Sequence, residues 1–223
     1  HGHSLTTEVL VVPTDRPQET ARSVAGRTPG VDCSVSGHGE DFYLLTNDGE
    51  ALDFKIMTVP IAGKSRADWR DLVPHRPGRY LRQMLLFRRF LVRLERENAL
   101  PRIVIRELAG GAEHAIEFAE EAYELGLIQG YEFDSDELRF TYSSPTTPQQ
   151  VFDYDMAKRT RVLRKQQEVP SGHRPKDYLC RRLFATGADG KQVPVTVLHH
   201  RSTKIDGGAP LRTLAAPGLA ASE

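Results

Sequence analysis

The chain has 223 residues, 30 basic and 30 acidic side chains, no net charge, and 39% apolar against 27% charged residues. Balanced charge argues against a dedicated nucleic-acid binder, which carries a basic excess, and the proportions are those of a globular chain rather than a disordered one. No run approaches the roughly 18 apolar residues needed to cross a bilayer; the most apolar window, Tyr80 to Val92, is broken by Arg82, Arg88 and Arg89.

Taken in chain order, the elements are strands. The first residue is His1 rather than methionine, so the start of the protein is expected upstream, and no signal-type apolar region follows it. "EVLVVPTD" from Glu8 is the first strand-like segment. "FYLLTND" from Phe42 and "FKIMTVP" from Phe54 flank the polar connection "NDGEALD". The middle of the chain repeats this arrangement: Tyr80–Phe87, Phe90–Glu95, Arg102–Leu108 and Glu113–Phe118 read as four strands, with "ERENALP" between the second and third. It recurs again as "LRFTYSS" from Leu138 and "QVFDYDM" from Gln150, joined by "SSPTTPQ", whose Pro145 and Pro148 cannot donate to a sheet ladder. Equivalent segments lie about 48 residues apart. Four short antiparallel strands per such period is the arithmetic of a β-propeller blade. The expected fold is therefore all-β: a partial β-propeller of about three four-stranded antiparallel blades, with Phe42, Phe90 and Leu138 in the second strand of each.

One segment competes with this register. In "EHAIEFAEEAYELG" and the alanine just before it, Ala112, Ala115, Ile116, Ala119, Ala122 and Tyr123 also match helical spacing. The repeat instead places a last strand at Glu113–Phe118 and a first strand from about Tyr123, and the repeat is preferred here.

The periodicity stops near Glu168. Residues 1–168 form the propeller unit, 169–177 a linker, and 178–209 a hairpin with strands Leu179–Ala185 and Val193–His199 around an Asp189-Gly190 turn. Residues 210–223, rich in Ala, Pro and Gly, are expected to be disordered or frame-shifted.

Candidate chemistry is sparse. A nucleophile elbow needs Gly-x-Ser-x-Gly, and neither Ser4 nor Ser36 has that context. His199 and His200 are strand neighbours and point to opposite faces. Cys33 and His38 lack a second pair at zinc spacing, and His75, His114 and His173 stand alone. The run Lys158–Lys165 reads as a solvated blade edge, with Arg161 and Lys165 on one side and Arg164 on the other. Phe42, Phe90, Phe140 and Phe152 occupy repeat-related positions suited to packing blade on blade. Trp69 receives no role. Cys33 and Cys180 read as buried thiols, which fits a reducing, cytoplasmic setting. No catalytic, cofactor-binding or metal residue is assigned.

The segments "FYLLTNDGEALDFKI", "FLVRLERENALPRIVIREL", "YEFDSDELRFTYSSPTTPQQVFDYDM" and "RLFATGADGKQVPVTVL" resemble oligopeptidase B (protease II), of the prolyl oligopeptidase family of serine peptidases. The likeness runs from about Thr6 to Val197, and the Thr-Tyr-Ser-Ser bend with its Thr-Thr-Pro is its most specific part. The resemblance implies a seven-bladed propeller capping an α/β-hydrolase domain that cleaves short peptides after Arg or Lys by a Ser-His-Asp triad. It implies that residues 6–168 are the later blades and that the hairpin is the start of the hydrolase domain. After Pro210 the chain departs from the family pattern. The triad lies beyond that point in the family and is not carried over, so this chain alone is expected to be inactive. Its implied partners are short basic peptides, met through the complete enzyme, with no nucleic acid or membrane. The other reading is a stand-alone propeller-type module that binds proteins or peptides, against which the absence of a Gly-His…Trp-Asp signature and the presence of the hairpin both count. A partial ring is also expected to leave apolar rows such as Val104 or Phe152 facing water and to self-associate through its unclosed blades.

Overall fold

The computed structural model describes residues 6–63, 66–170 and 172–212, so the expectation for 210–223 falls almost wholly outside the described residues. Three four-stranded antiparallel sheets follow one another. Blade A comprises β3 (Cys33–His38), β4 (Asp41–Thr46), β5 (Lys55–Pro60) and β6 (Arg70–Val73). Blade B comprises β7 (Arg79–Leu86), β8 (Phe90–Glu97), β9 (Leu100–Glu107) and β10 (Glu113–Ala115). Blade C comprises β11 (Glu124–Ile128), β12 (Glu137–Ser143), β13 (Gln150–Asp155) and β14 (Thr160–Gln166). Each is a simple meander with strands in chain order. Before them, β1 (Val9–Val11) and β2 (Arg22–Ala25) pair alone; after them, β15 (Tyr178–Thr186) and β16 (Gln192–His200) form the hairpin. The described residues contain no α-helix, only single 3-10 turns at Arg66–Asp68 and Pro175–Asp177.

The segment with helical spacing is a short strand followed by an irregular connection. β10 ends at Ala115 rather than Phe118, and β11 begins at Glu124. The alanines there mimic a helix face, but Phe118 and Tyr123 are drawn individually into the aromatic cluster of blade C, and pairing with β12 sets the chain's path.

The core lies between blades. One cluster joins Phe90, Val92, Leu94, Ile103 and Ile105 of blade B to Leu138, Phe140, Tyr142 and Tyr154 of blade C. A second joins Tyr43, Leu45, Ile56 and Val73 of blade A to Leu81, Met84 and Leu91 of blade B. A third joins Ala25 of β2 to Cys33, Leu44, Met57 and Val59 of blade A. Successive strand residues point to opposite faces, so neighbours in β8 serve different partners: Leu91 faces blade A while Phe90 and Val92 face blade C. Leu91 and Val92 are both fully buried. Removing such side chains from water contributes about 1.5–3 kcal/mol each.

Phe90, Phe140 and Phe152 lie at the interface of blades B and C, and Phe42 at that of β2 with blade A, as their spacing suggests. The expectation that Val104 and Phe152 face water is corrected. Val104 is 4% exposed, and Phe152 stacks on Phe140 at 5.4 Å. Both belong to sheet faces that already have a neighbouring blade. Exposed apolar residues do include Ile128, Val162 and Leu163 on blade C and Leu183, Phe184, Val193, Val195 and Leu198 on the hairpin.

The face of blade B towards blade A also buries charge. Arg93 donates through Nε to Glu95 at 2.8 Å and, with its two terminal nitrogens, to both oxygens of Glu113 at 2.9 and 2.8 Å. Arg106 adds a bond to Glu113 at 3.0 Å, and Arg102 lies 3.4 Å from Glu95. Paired in this way, the buried ions satisfy one another, which a lone one could not do.

The turn from β8 to β9 carries local strain. Its two residues, Asn98 and Ala99, have φ of 51° and 60°, the type I′ geometry in which glycine is favoured at the second place. Alanine pays a left-handed penalty there that exceeds its advantage in the unfolded chain. Ala99→Gly is expected to raise stability by about 0.5–1 kcal/mol in urea unfolding; a loss of stability would show that the turn is not strained.

Candidate functional site: the junction of blade C and the hairpin

The bend between β12 and β13 is built around one carboxylate. Glu120, from the β10–β11 connection, accepts hydrogen bonds from the hydroxyls of Tyr142, Ser144 (2.9 Å), Thr146 and Thr147 (3.2 Å to each oxygen). Ser144 Oγ in turn accepts the backbone N–H groups of Thr146 and Thr147 at 3.1 and 2.8 Å. With Pro145 and Pro148 lacking an N–H, these bonds replace the ladder that the bend interrupts. Burial acts to raise the Glu120 carboxyl, but the four hydroxyls, led by Thr146, outweigh it and hold it below its ordinary value. Burial, and then the bond to Glu120, pushes the Tyr142 phenol well up. Beneath the bend, Phe118 stacks on Tyr142 at 5.0 Å and meets Phe140 edge-on at 5.9 Å.

The hairpin meets the propeller here. His173 of the linker donates from Nε2 to the Thr146 carbonyl at 2.7 Å. Glu121 accepts the backbone N–H of Arg182 at 2.7 Å and pairs with Arg181 Nε at 3.3 Å. A cavity of about 380 Å³ lies among Leu100, Tyr123, Ser144, Arg182 and Pro194, where the β8–β9 turn, the bend and the hairpin converge. This surface holds and shapes; it does not contain an activated nucleophile.

The other residues singled out from the sequence lie apart from it. Ser36 is a mid-strand residue of β3 opposite Tyr43; Ser4 lies outside the described residues. Cys33 and His38 occupy opposite ends of β3, and His38 Nε2 donates to the Arg88 carbonyl at 2.8 Å. Cys33 is buried, but Cys180 is only half-buried, a correction to its reading as a core thiol; both are free. His75 lies 4.0 Å from Asp53. His114 meets the Tyr154 hydroxyl at 3.1 Å, and burial holds its pKa below the ordinary value. His200 Nδ1 accepts a hydrogen bond from Ser202 at 2.6 Å. That pair is a local turn two residues long, and among the described residues no carboxylate orients the imidazole as general-base catalysis of acyl transfer requires. Trp69 borders the core of blade A beneath Arg66, 4.8 Å from its ring.

The basic run forms β14, whose residues are all exposed. A register shift at Val151/Phe152 leaves Arg164 bulged, so Lys165 pairs with Val151 and Arg161 with Tyr154; Arg161 and Lys165 therefore lie on opposite faces, not on one. Arg161 stacks on Phe118 and Phe152. Arg164 and Arg139 converge on Asp153, each with a shortest contact of 2.6 Å. The Arg139 guanidinium, then Arg164, holds the Asp153 carboxyl at about 2 against the effect of burial. The unfolded value is about 3.9, so this pairing stabilises the fold fully above about pH 4, and the benefit is lost as pH falls through about 2. Asp153→Asn is expected to cost about 1–2 kcal/mol at neutral pH, the partners being half-exposed. The deficit should vanish between about pH 4 and 2 in acid-dependent unfolding; a deficit independent of pH would contradict the pairing.

The sequence alone did not single out Glu120 and Glu121. Their signal was a hydroxyl-dense bend with no cation in it, close to a carboxylate pair in a segment that is not a regular strand.

Residues 1–167 match the family model described as the prolyl oligopeptidase N-terminal β-propeller domain. Dipeptidyl aminopeptidase BI of Pseudoxanthomonas mexicana is 34% identical over 189 residues, covering 84% of this chain and 26% of the relative. Protease 2 of Moraxella lacunata is 27% identical over 206 residues, covering 92% and 29%. Among solved structures, oligopeptidase B from Trypanosoma brucei with covalently bound antipain, in its closed form, superposes with a TM-score of 0.78 at 26% identity, covering 90% of this chain and 30% of that one. Oligopeptidase B from Leishmania major gives 0.79 at 25%, covering 90% and 29%. The chain thus spans between a quarter and a third of the length of these relatives. With its blades, their register and the match over residues 1–167 in agreement, the chain belongs to the prolyl oligopeptidase family through its N-terminal β-propeller domain.

Proposed function

We propose that this chain is the later propeller blades and the first hydrolase hairpin of a serine oligopeptidase that cleaves short peptides after Arg or Lys. The observation that carries the reading is the likeness to oligopeptidase B over 90% of the chain, which extends past the last blade. The propeller's part is to wall off the active site so that only short peptides enter. The chemistry belongs to the rest of the protein, because acyl transfer needs a nucleophile, an oriented base and donors for the oxyanion, and the described residues supply no such set. Free thiols at Cys33 and Cys180 fit a reducing, cytoplasmic compartment. The exposed apolar hairpin residues fit a strand pair that a hydrolase core covers, and fit self-association where that core is missing.

A second reading is favoured by the 34% identity to a dipeptidyl aminopeptidase: the complete protein would release dipeptides from a free amino end. Fluorogenic peptides decide between the two. The complete protein is expected to turn over amino-blocked substrates ending in Arg or Lys, to spare those ending in Ala, and to label with a serine-directed probe, while this chain alone gives neither turnover nor label. Cleavage only of unblocked dipeptide substrates would establish the second reading. Probe-sensitive turnover by the chain alone would overturn the assignment of its role.

A further inference from the structure

We infer that Glu120 and Glu121 form a two-pronged anchor that sets the position of the β15–β16 hairpin on blade C, separately from the packing that holds the blades together. The two are sequence neighbours but grip different segments. Glu120 gathers Tyr142, Ser144, Thr146 and Thr147, and so fixes the Thr146 carbonyl to which His173 of the linker donates at 2.7 Å. Glu121 reaches the hairpin itself, accepting the Arg182 N–H at 2.7 Å and pairing with Arg181 at 3.3 Å. The first prong therefore holds the linker and the second holds the strand.

Little else holds the hairpin. Its strands pair only with each other among the described residues, and Leu183, Phe184, Val193, Val195 and Leu198 stay exposed instead of packing on blade C. The base of the hairpin closes on its own linker, with Arg201 bonding to the carbonyls of Lys176 and Asp177 at 2.6 and 2.8 Å. Linker and hairpin thus behave as one arm, attached to the propeller by the His173 bond to the Thr146 carbonyl and by the charge-assisted contacts of Glu121, which are stronger than neutral hydrogen bonds. Loss of these bonds frees the arm and leaves the inter-blade cores intact. The inference concerns this chain's own geometry and stands whichever peptidase reaction the complete protein performs.

Amide hydrogen exchange on the chain tests it. In Glu121→Ala the Arg182 amide is expected to exchange at least about tenfold faster, with the amides of Leu91 and Val92 unchanged as a measure of intact blades. In Glu120→Gln the amides of Thr146 and Thr147 and that of Arg182 are expected to quicken together, since the bend carries the linker. An Arg182 amide that exchanges no faster in either variant overturns the inference. If Glu120→Gln also loosens the blades, Ser144→Ala replaces it, and alkylation of half-buried Cys180 is read against buried Cys33. Faster labelling of Cys180 alone supports the anchor; labelling of both together, or no change in either, overturns it.

Discussion

Burial of a blade's middle strands on both faces is the constraint on which the rest of this structure depends. In β8, Phe90, Val92 and Leu94 pack towards blade C, while Leu91 packs towards blade A. A slip of one residue in the pairing of β8 with β9 would exchange every partner between the two interfaces. It would also drive Arg93 and Glu95 into the interface with blade C, where aliphatic and aromatic side chains dominate, away from Glu113 and Arg102. The polar network on one face and the aliphatic and aromatic face on the other therefore specify a single register, beyond what either contributes to stability. The hydrophobic term acts here between sheets, and a blade alone would have no core.

The site inherits its geometry from that packing. Phe118 and Tyr123 are pulled against Phe140 and Tyr142 at the interface of blades B and C. The chain between them has no ladder to follow and is left to present Glu120 to the bend and Glu121 to the hairpin. In this way a propeller interface, which is about packing, places two carboxylates where a following segment can be caught. Peptidase chemistry, in the reading proposed above, is supplied by the part of the protein to which this arm leads.

The repeat, the strand order and the second strands beginning near Phe42, Phe90 and Leu138 were legible in the sequence, because alternation and a constant interval are written in the apolar residues themselves. So was the family, from the bend and its flanking strands. The ends of β10 and β11 were not, since Ala112, Ala115, Ala119 and Ala122 carry helical spacing as readily as loop, and pairing across space decides between them. Which apolar rows are exposed was misjudged at Val104 and Phe152, because alternation marks two faces but does not say which of them already has a neighbour. The bulge at Arg164 reversed the side of Lys165, and no residue in "KRTRVLRK" announces it. Glu120 escaped notice for a similar reason: its four hydroxyl partners lie 22 to 27 residues away, and only the folded connection brings them together.

A double-mutant cycle tests the two-faced strand most directly. Residues in contact or sharing a core couple by about 0.5 kcal/mol or more, whereas distant ones add within about 0.3–0.5 kcal/mol. Leu91→Ala is combined first with Ile56→Ala of blade A and then with Phe140→Ala of blade C, and stability is read from urea unfolding. Coupling is expected for Leu91 with Ile56, and additivity for Leu91 with Phe140. Coupling of Leu91 to Phe140 with none to Ile56 would contradict this, since Leu91 would then face the other blade.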